Sequence, residues 1–107
     1  MKQRVVELTE FGAAENMRLI EADIPIPGPG QIVVKNNAIG LNYLDTYFRS
    51  GLYPWPNQEN IKIPGSEGVG HVHAVGSDVT FHKEGDKVSY VTPVGAYAEY
   101  ALINAAH

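Results

Sequence analysis

The side chains in this 107-residue chain with chemical potential fall mostly between Asn42 and His73. Asn42 precedes a helix-like run, and Asp45 follows three residues later. That is the spacing at which an N-cap side chain and its reciprocal acid satisfy free backbone N–H groups. Tyr47 lies on the same run and Tyr53 follows just after it, so their phenols can reach one cleft with rings packed and hydroxyls wet. A phenol so placed donates a hydrogen bond to an oxygen that gains negative charge, unless both rings are ordinary core or rim aromatics. Arg49 reads as a solvated or ion-paired helix residue. Glu67 can orient backbone or water near the cleft, or be a buried, paired carboxylate. His71 and His73, two apart on a strand, project from one face at a spacing compatible with metal ligation. No third ligand is apparent, and the expectation is two hydrogen-bonded sheet histidines. Trp55, between Pro54 and Pro56, is either a lid over an apolar substrate or packing for its loop.

These residues need elements to hold them. Val5, Val6 and Leu8 begin a strand that ends at Phe11-Gly12, and Met17 to Asp23 gives a second, stopped by the Pro- and Gly-rich run Pro25 to Gly30. Gln31 to Leu41, rich in β-branched and small apolar residues, reads as a longer central strand. The three-four spacing of Leu44, Tyr47 and Phe48 predicts a short helix over 42–50, closed by Gly51. Residues 52–62 carry prolines around Trp55 and read as an irregular loop. Strands then return over Val69 to Val75, Lys87 to Val91 and Ala98 to Ile103, with turns at Gly76-Ser77-Asp78 and Gly85-Asp86. Short strands, close turns and one short helix predict a mainly β domain, a partly open β-barrel occupying residues 1–107.

Composition narrows the function classes. The chain is 44% hydrophobic and 19% charged, as expected of one packed globular domain that buries about 65% of its unfolded surface. Its formal charge of −4, with the basic residues scattered, argues against a nucleic-acid partner. There is no cysteine, which excludes disulfides, thiol nucleophiles and thiolate-bound zinc. The N-terminal apolar stretch, broken by Glu7 and Glu10, is too brief for a signal-peptide core or a spanning helix, so no membrane role and a cytoplasmic location are expected.

The run Ala38 to Pro54, containing Asn42-Tyr43-Leu44-Asp45-Thr46-Tyr47, followed by Pro64-Gly65-Ser66-Glu67-Gly68-Val69-Gly70, resembles the quinone oxidoreductase and zeta-crystallin branch of the medium-chain dehydrogenase/reductase superfamily. Val75-Gly76-Ser77, Gly85-Asp86-Lys87-Val88 and Gly95-Ala96-Tyr97-Ala98-Glu99-Tyr100 support it. The resemblance spans nearly the whole chain, and Asn42 to Pro54 is its most specific part. It implies a GroES-like barrel, the N-terminal catalytic domain of a two-domain reductase. The zinc-dependent branch places cysteine at the position of Asn42 and histidine at that of Ser66. Amide and hydroxyl oxygens bind zinc too weakly to replace them, so neither zinc nor any other metal is expected.

The partner Rossmann domain is expected to be absent from this chain, because no G-x-G-x-x-G opens a helix after a strand. Gly65 to Gly70 has its glycines in another order and enters a strand. The resemblance further implies NADPH as cofactor, without zinc or flavin, and hydride transfer to a quinone or other conjugated carbonyl. Asn42 and Tyr47 would then face the cofactor, and Tyr47 and Tyr53 would assist catalysis. The full-length form would be a homodimer, and the isolated chain would be inactive. Two alternatives stay open at this point, a reductase of enones, alkenals or enoyl thioesters and a non-catalytic GroES-like binding module.

Overall fold

The consecutive apolar residues Ile32, Val33 and Val34 call for cover on both faces, as a central strand requires. In the computed structural model, which describes residues 2–52, 54–56 and 61–105, they lie at the heart of the larger of two sheets. In chain order the elements are β1 (Lys2–Leu8), a 3-10 turn (Ala14–Asn16), β2 (Met17–Asp23), β3 (Gln31–Ile39), α1 (Tyr43–Ser50), β4 (Glu67–Val75), β5 (Lys87–Val91) and β6 (Tyr100–Asn104). β1 and β2 form an antiparallel ribbon, and the other four strands are arranged β5-β4-β3-β6. Every pairing is antiparallel. No helix among the described residues is long and apolar enough to cross a membrane.

The domain is mainly β with one α-helix among the described residues, as its strand periodicity predicts, but the two sheets do not close into a continuous barrel. The ribbon meets the larger sheet through the segment Tyr97 to Glu99, which forms no strand ladder. The isolated bridge between Val5 and Ala98 joins them, with Val6 N–H donating to the Tyr97 carbonyl at 2.9 Å and Glu99 N–H to the Arg4 carbonyl at 3.1 Å. Buried Gln3 adds a side-chain link, its Oε1 accepting the Tyr100 N–H at 2.8 Å.

One core cluster lies beneath β3, built from Ile32, Val34, Val72, Tyr90, Ala96, Ala101 and Ile103. Polar cross-links fix its upper edge. Asn36 Nδ2 donates to the carbonyls of Ala96 at 3.2 Å and Ala98 at 2.9 Å, and Asn36 Oδ1 accepts the Tyr90 hydroxyl at 2.8 Å. One amide thus ties β3 to β5 and to the segment joining the two sheets. Asn36 also sits where β3 shifts register against β4, between Asn36 and Ala38. Asn36→Leu keeps the volume and leaves two carbonyls and a phenol without their partner. It is expected to destabilise the domain by about 2–4 kcal/mol in urea unfolding, with the slope unchanged.

Candidate active site

The helix α1 starts where the sequence places it. Asn42 is extended, with φ −135° and ψ 153°, and Gly51 ends the helix in the left-handed region with φ 85°. Asn42 and Asp45 form a capping box, in which Asp45 Oδ2 accepts the Asn42 backbone N–H at 3.1 Å. Asp45 does much more than cap. It is only 5% exposed, and the Tyr97 hydroxyl donates to its Oδ2 at 2.6 Å. The buried Ser66 hydroxyl lies 3.0 Å from Asp45 Oδ1 and 3.2 Å from the Pro93 carbonyl, so one hydrogen faces two acceptors. Helix start, β4 entry and the 93–97 segment therefore converge on one carboxylate. Gly65 makes room for this. Its φ of +105° suits glycine, and a Cβ there would strike the Tyr97 ring.

Asn42 holds a second contact, Nδ2 donating to Glu67 Oε1 at 3.1 Å. Glu67 is exposed at the head of β4, so the buried-carboxylate reading does not apply to it. Gly40 lies directly under its side chain, where any Cβ would collide with the carboxylate. Gly40 N–H also donates to the Glu67 carbonyl at 3.1 Å. Gly40 and Glu67 are walls of an open groove of about 600 Å³, whose other sides include Ile39, Val69, Tyr90 and Val91. Ile39, Val69 and Val91 are exposed to solvent there, as are Leu41 and Tyr43 beside Asn42. Asn42 is thus an oriented amide at the lip of an apolar groove, joined to it by Glu67.

The other expected site residues fall in different places. Tyr47 is on α1, half-exposed and one turn beyond Tyr43, on the side away from buried Asp45 and Phe48, but it is not among the groove's walls. Tyr53 lies outside the described residues. Arg49 is structural: its Nε donates to the Gly12 carbonyl at 3.0 Å while Gly12 N–H returns to the Arg49 carbonyl at 2.8 Å. Trp55 packs with ring centroids 6.3 Å from both Phe11 and Phe48, as the loop-packing alternative expects. His71 Nδ1 is 3.0 Å from Asn37 Oδ1, and His73 stacks edge-on against Tyr100 at 4.8 Å. Both histidines are exposed on one face of β4, and the described residues contain no group of three ligating side chains.

Burial, and next the hydrogen bond to Asp45, hold the Tyr97 phenol well above the usual tyrosine range. Burial also raises Tyr90, against a smaller opposing effect of its bond to Asn36. The sign follows from linkage. Above about pH 10 the unfolded chain loses a phenol proton that the folded chain keeps, so the stabilisation is complete below that pH and wanes as pH rises further. Tyr97→Phe is expected to lower stability near neutrality by about 1.5–3 kcal/mol, the range for a hydrogen bond to a charged group. Its stability should also fall less steeply than the parent's between pH 10 and 11, as urea midpoints at several pH values would show.

Comparison with known proteins places this geometry in context. Residues 28–107 match the alcohol dehydrogenase GroES-like domain family. A quinone oxidoreductase of Pseudomonas aeruginosa is 47% identical over 102 residues, covering 92% of this chain and 30% of that protein. The chain therefore spans about a third of the length of such relatives. Among solved structures, a Pseudomonas syringae quinone oxidoreductase superposes with a TM-score of 0.88 at 43% identity, over 95% of this chain and 31% of that one. Escherichia coli quinone oxidoreductase complexed with NADPH superposes with a TM-score of 0.81 at 36% identity, over 95% of this chain and 31% of that one. The strand order, the capped helix and these matches lead to one conclusion: the chain belongs to the alcohol dehydrogenase GroES-like domain family, beside the quinone oxidoreductases of the medium-chain dehydrogenase/reductase superfamily.

Proposed function

We propose that this domain forms the substrate-side wall of an NADPH-dependent, zinc-independent quinone oxidoreductase. The observation that carries the reading is the oriented Asn42 amide at the lip of the apolar groove. The groove suits a planar, uncharged ring, and the naming of its relatives as quinone oxidoreductases favours a quinone. Their NADPH complex supports that cofactor, and the chemistry of this chain fits its nicotinamide end only. An amide beside exposed Ile39, Val69 and Val91 can flank a nicotinamide ring. The phosphates find no cradle here, since Gly65 to Gly70 leads into β4 and not into a helix. NADPH, when bound, supplies the hydride.

The chain's own residues bind and orient. One Nδ2 hydrogen of Asn42 serves Glu67, which leaves the second Nδ2 hydrogen as the donor for the acceptor's oxygen. Such a donor, fixed before reaction, stabilises negative charge as it develops on that oxygen. Tyr47 is assigned a second hydrogen bond to the same oxygen or to the cofactor, and Tyr53 joins it by resemblance to the family. Zinc-independence is supported by donor chemistry. The Asn42 amide and the Ser66 hydroxyl are weak zinc donors, and both are committed to hydrogen bonds. On the same resemblance the full-length protein is read as a cytoplasmic homodimer.

The test is NADPH oxidation by the full-length protein with a panel of quinones, alkenals and enoyl thioesters. Quinones are expected to be reduced with the highest kcat/KM, and a preference for alkenals or thioesters would reassign the substrate. Asn42→Ala and Tyr47→Phe are expected to lower kcat by about tenfold or more with the fold retained, since one preorganised donor is worth about 10²-fold at most such sites. An unchanged kcat in Tyr47→Phe would remove that phenol from the mechanism. The isolated 107-residue chain is expected to give no turnover.

A further inference from the structure

Among the described residues lining the groove, Glu67 is the charged one; the others are apolar, glycine, Ser89 and Tyr90. A carboxylate on a solvent-facing strand end ordinarily swings through several rotamers and its field averages out. Here one orientation is favoured: Asn42 Nδ2 donates to Oε1 from one side, and Gly40, lacking a Cβ, leaves room for the carboxylate from below. The negative charge is therefore held preferentially at the entrance of a site with mostly apolar walls. Lys87 on β5 pairs with His71, four residues along β4 from Glu67. That is about 13 Å between backbones at the strand rise. Lys35 of β3 pairs with the same His71, its ammonium lying 5.9 Å from the Tyr100 ring centroid, and no ion pair to Glu67 occurs among the described residues.

We infer that Glu67 acts as a charge filter, a specificity-determining residue that admits uncharged acceptors to the groove and disfavours anionic ones of the same shape. The inference rests on the reading of this groove as the acceptor's seat. A like charge brought to about 6 Å across a surface of high effective dielectric loses roughly threefold to tenfold in affinity. That range is too small to exclude an anion and large enough to rank two acceptors. Glu67 also orients Asn42, so a variant must separate charge from positioning. Glu67→Gln does so, since the amide oxygen still accepts the Asn42 N–H and only the charge is removed.

The experiment compares an uncharged naphthoquinone with its monosulfonate in the full-length protein and its Glu67→Gln variant. Each compound serves as its own control for intrinsic reactivity. The expected result is a threefold to tenfold rise in kcat/KM for the sulfonate relative to the uncharged quinone in Glu67→Gln, a gain that shrinks as salt is raised from about 20 mM to about 500 mM. An unchanged ratio, or a gain indifferent to salt, overturns the inference while leaving quinone reduction intact. If the parent protein turns over neither quinone, the functional reading fails, and dissociation constants from calorimetry decide the filter separately. A Kd ratio that shifts by the same factor supports it. A ratio that does not shift, or no binding of either quinone, overturns it.

Discussion

A buried carboxylate is tolerable only when its lone pairs are occupied, and the arrangement around Asp45 follows from that requirement. Three donors reach it from different stretches of chain: the Asn42 backbone, Ser66 and Tyr97. Each of those stretches also carries something the site uses. Asn42 carries the oriented amide, Ser66 immediately precedes Glu67, and Tyr97 belongs to the segment that Asn36 ties to β3. The positions of the amide, the groove entrance and the junction between sheets thus depend on a single desolvated group. Burial raises the Tyr97 phenol above its ordinary range, so near neutrality it offers Asp45 a hydrogen.

Element bounds are legible in the sequence where turn chemistry punctuates the chain. β2 and β5 begin and end where proline, glycine and the β-branched pattern place them, and α1 is bounded by Asn42 and Gly51 as its capping residues require. The strand expected to run to Phe11-Gly12 ends at Leu8 instead. Residues 9–16 fold back through Thr9 N–H to the Asn16 carbonyl, with a 3-10 turn that no strand or helix periodicity marks. β6 starts at Tyr100 and not at Ala98, because Ala98 N–H bonds locally to the Ala96 carbonyl before the ladder begins.

The site was legible only to the extent that it is local. Asn42 and Asp45 are three residues apart, and their pairing follows from helix capping. Ser66 and Tyr97 lie 21 and 52 residues from Asp45, so their convergence depends on how β4 and the 93–97 segment return to the helix. The only trace in the sequence is Tyr97 between two alanines in a glycine-led run, which marks tight packing without naming its partner. Glu67 was visible as a carboxylate beside the cleft. Its partner, Asn42, is 25 residues away, and which of the two readings of Glu67 applied depended on its exposure at the strand head.

The seam between the two sheets sets how the domain comes apart. The β1–β2 ribbon is held to the larger sheet through one bridge, a few backbone bonds, Gln3, the Arg4–Glu99 pair and the buried side chains of Val5 and Leu8, while β3 is laddered on both edges. Free energies of local opening follow such differences in density, so the ribbon is expected to open at a lower free energy than the four-stranded sheet. The seam runs through Tyr97 and Ala98, next to the phenol that holds Asp45. Because Tyr97 both accepts the Val6 N–H and donates to Asp45, opening of the ribbon is expected to loosen the helix start and the amide at the groove before the core beneath β3 is disturbed.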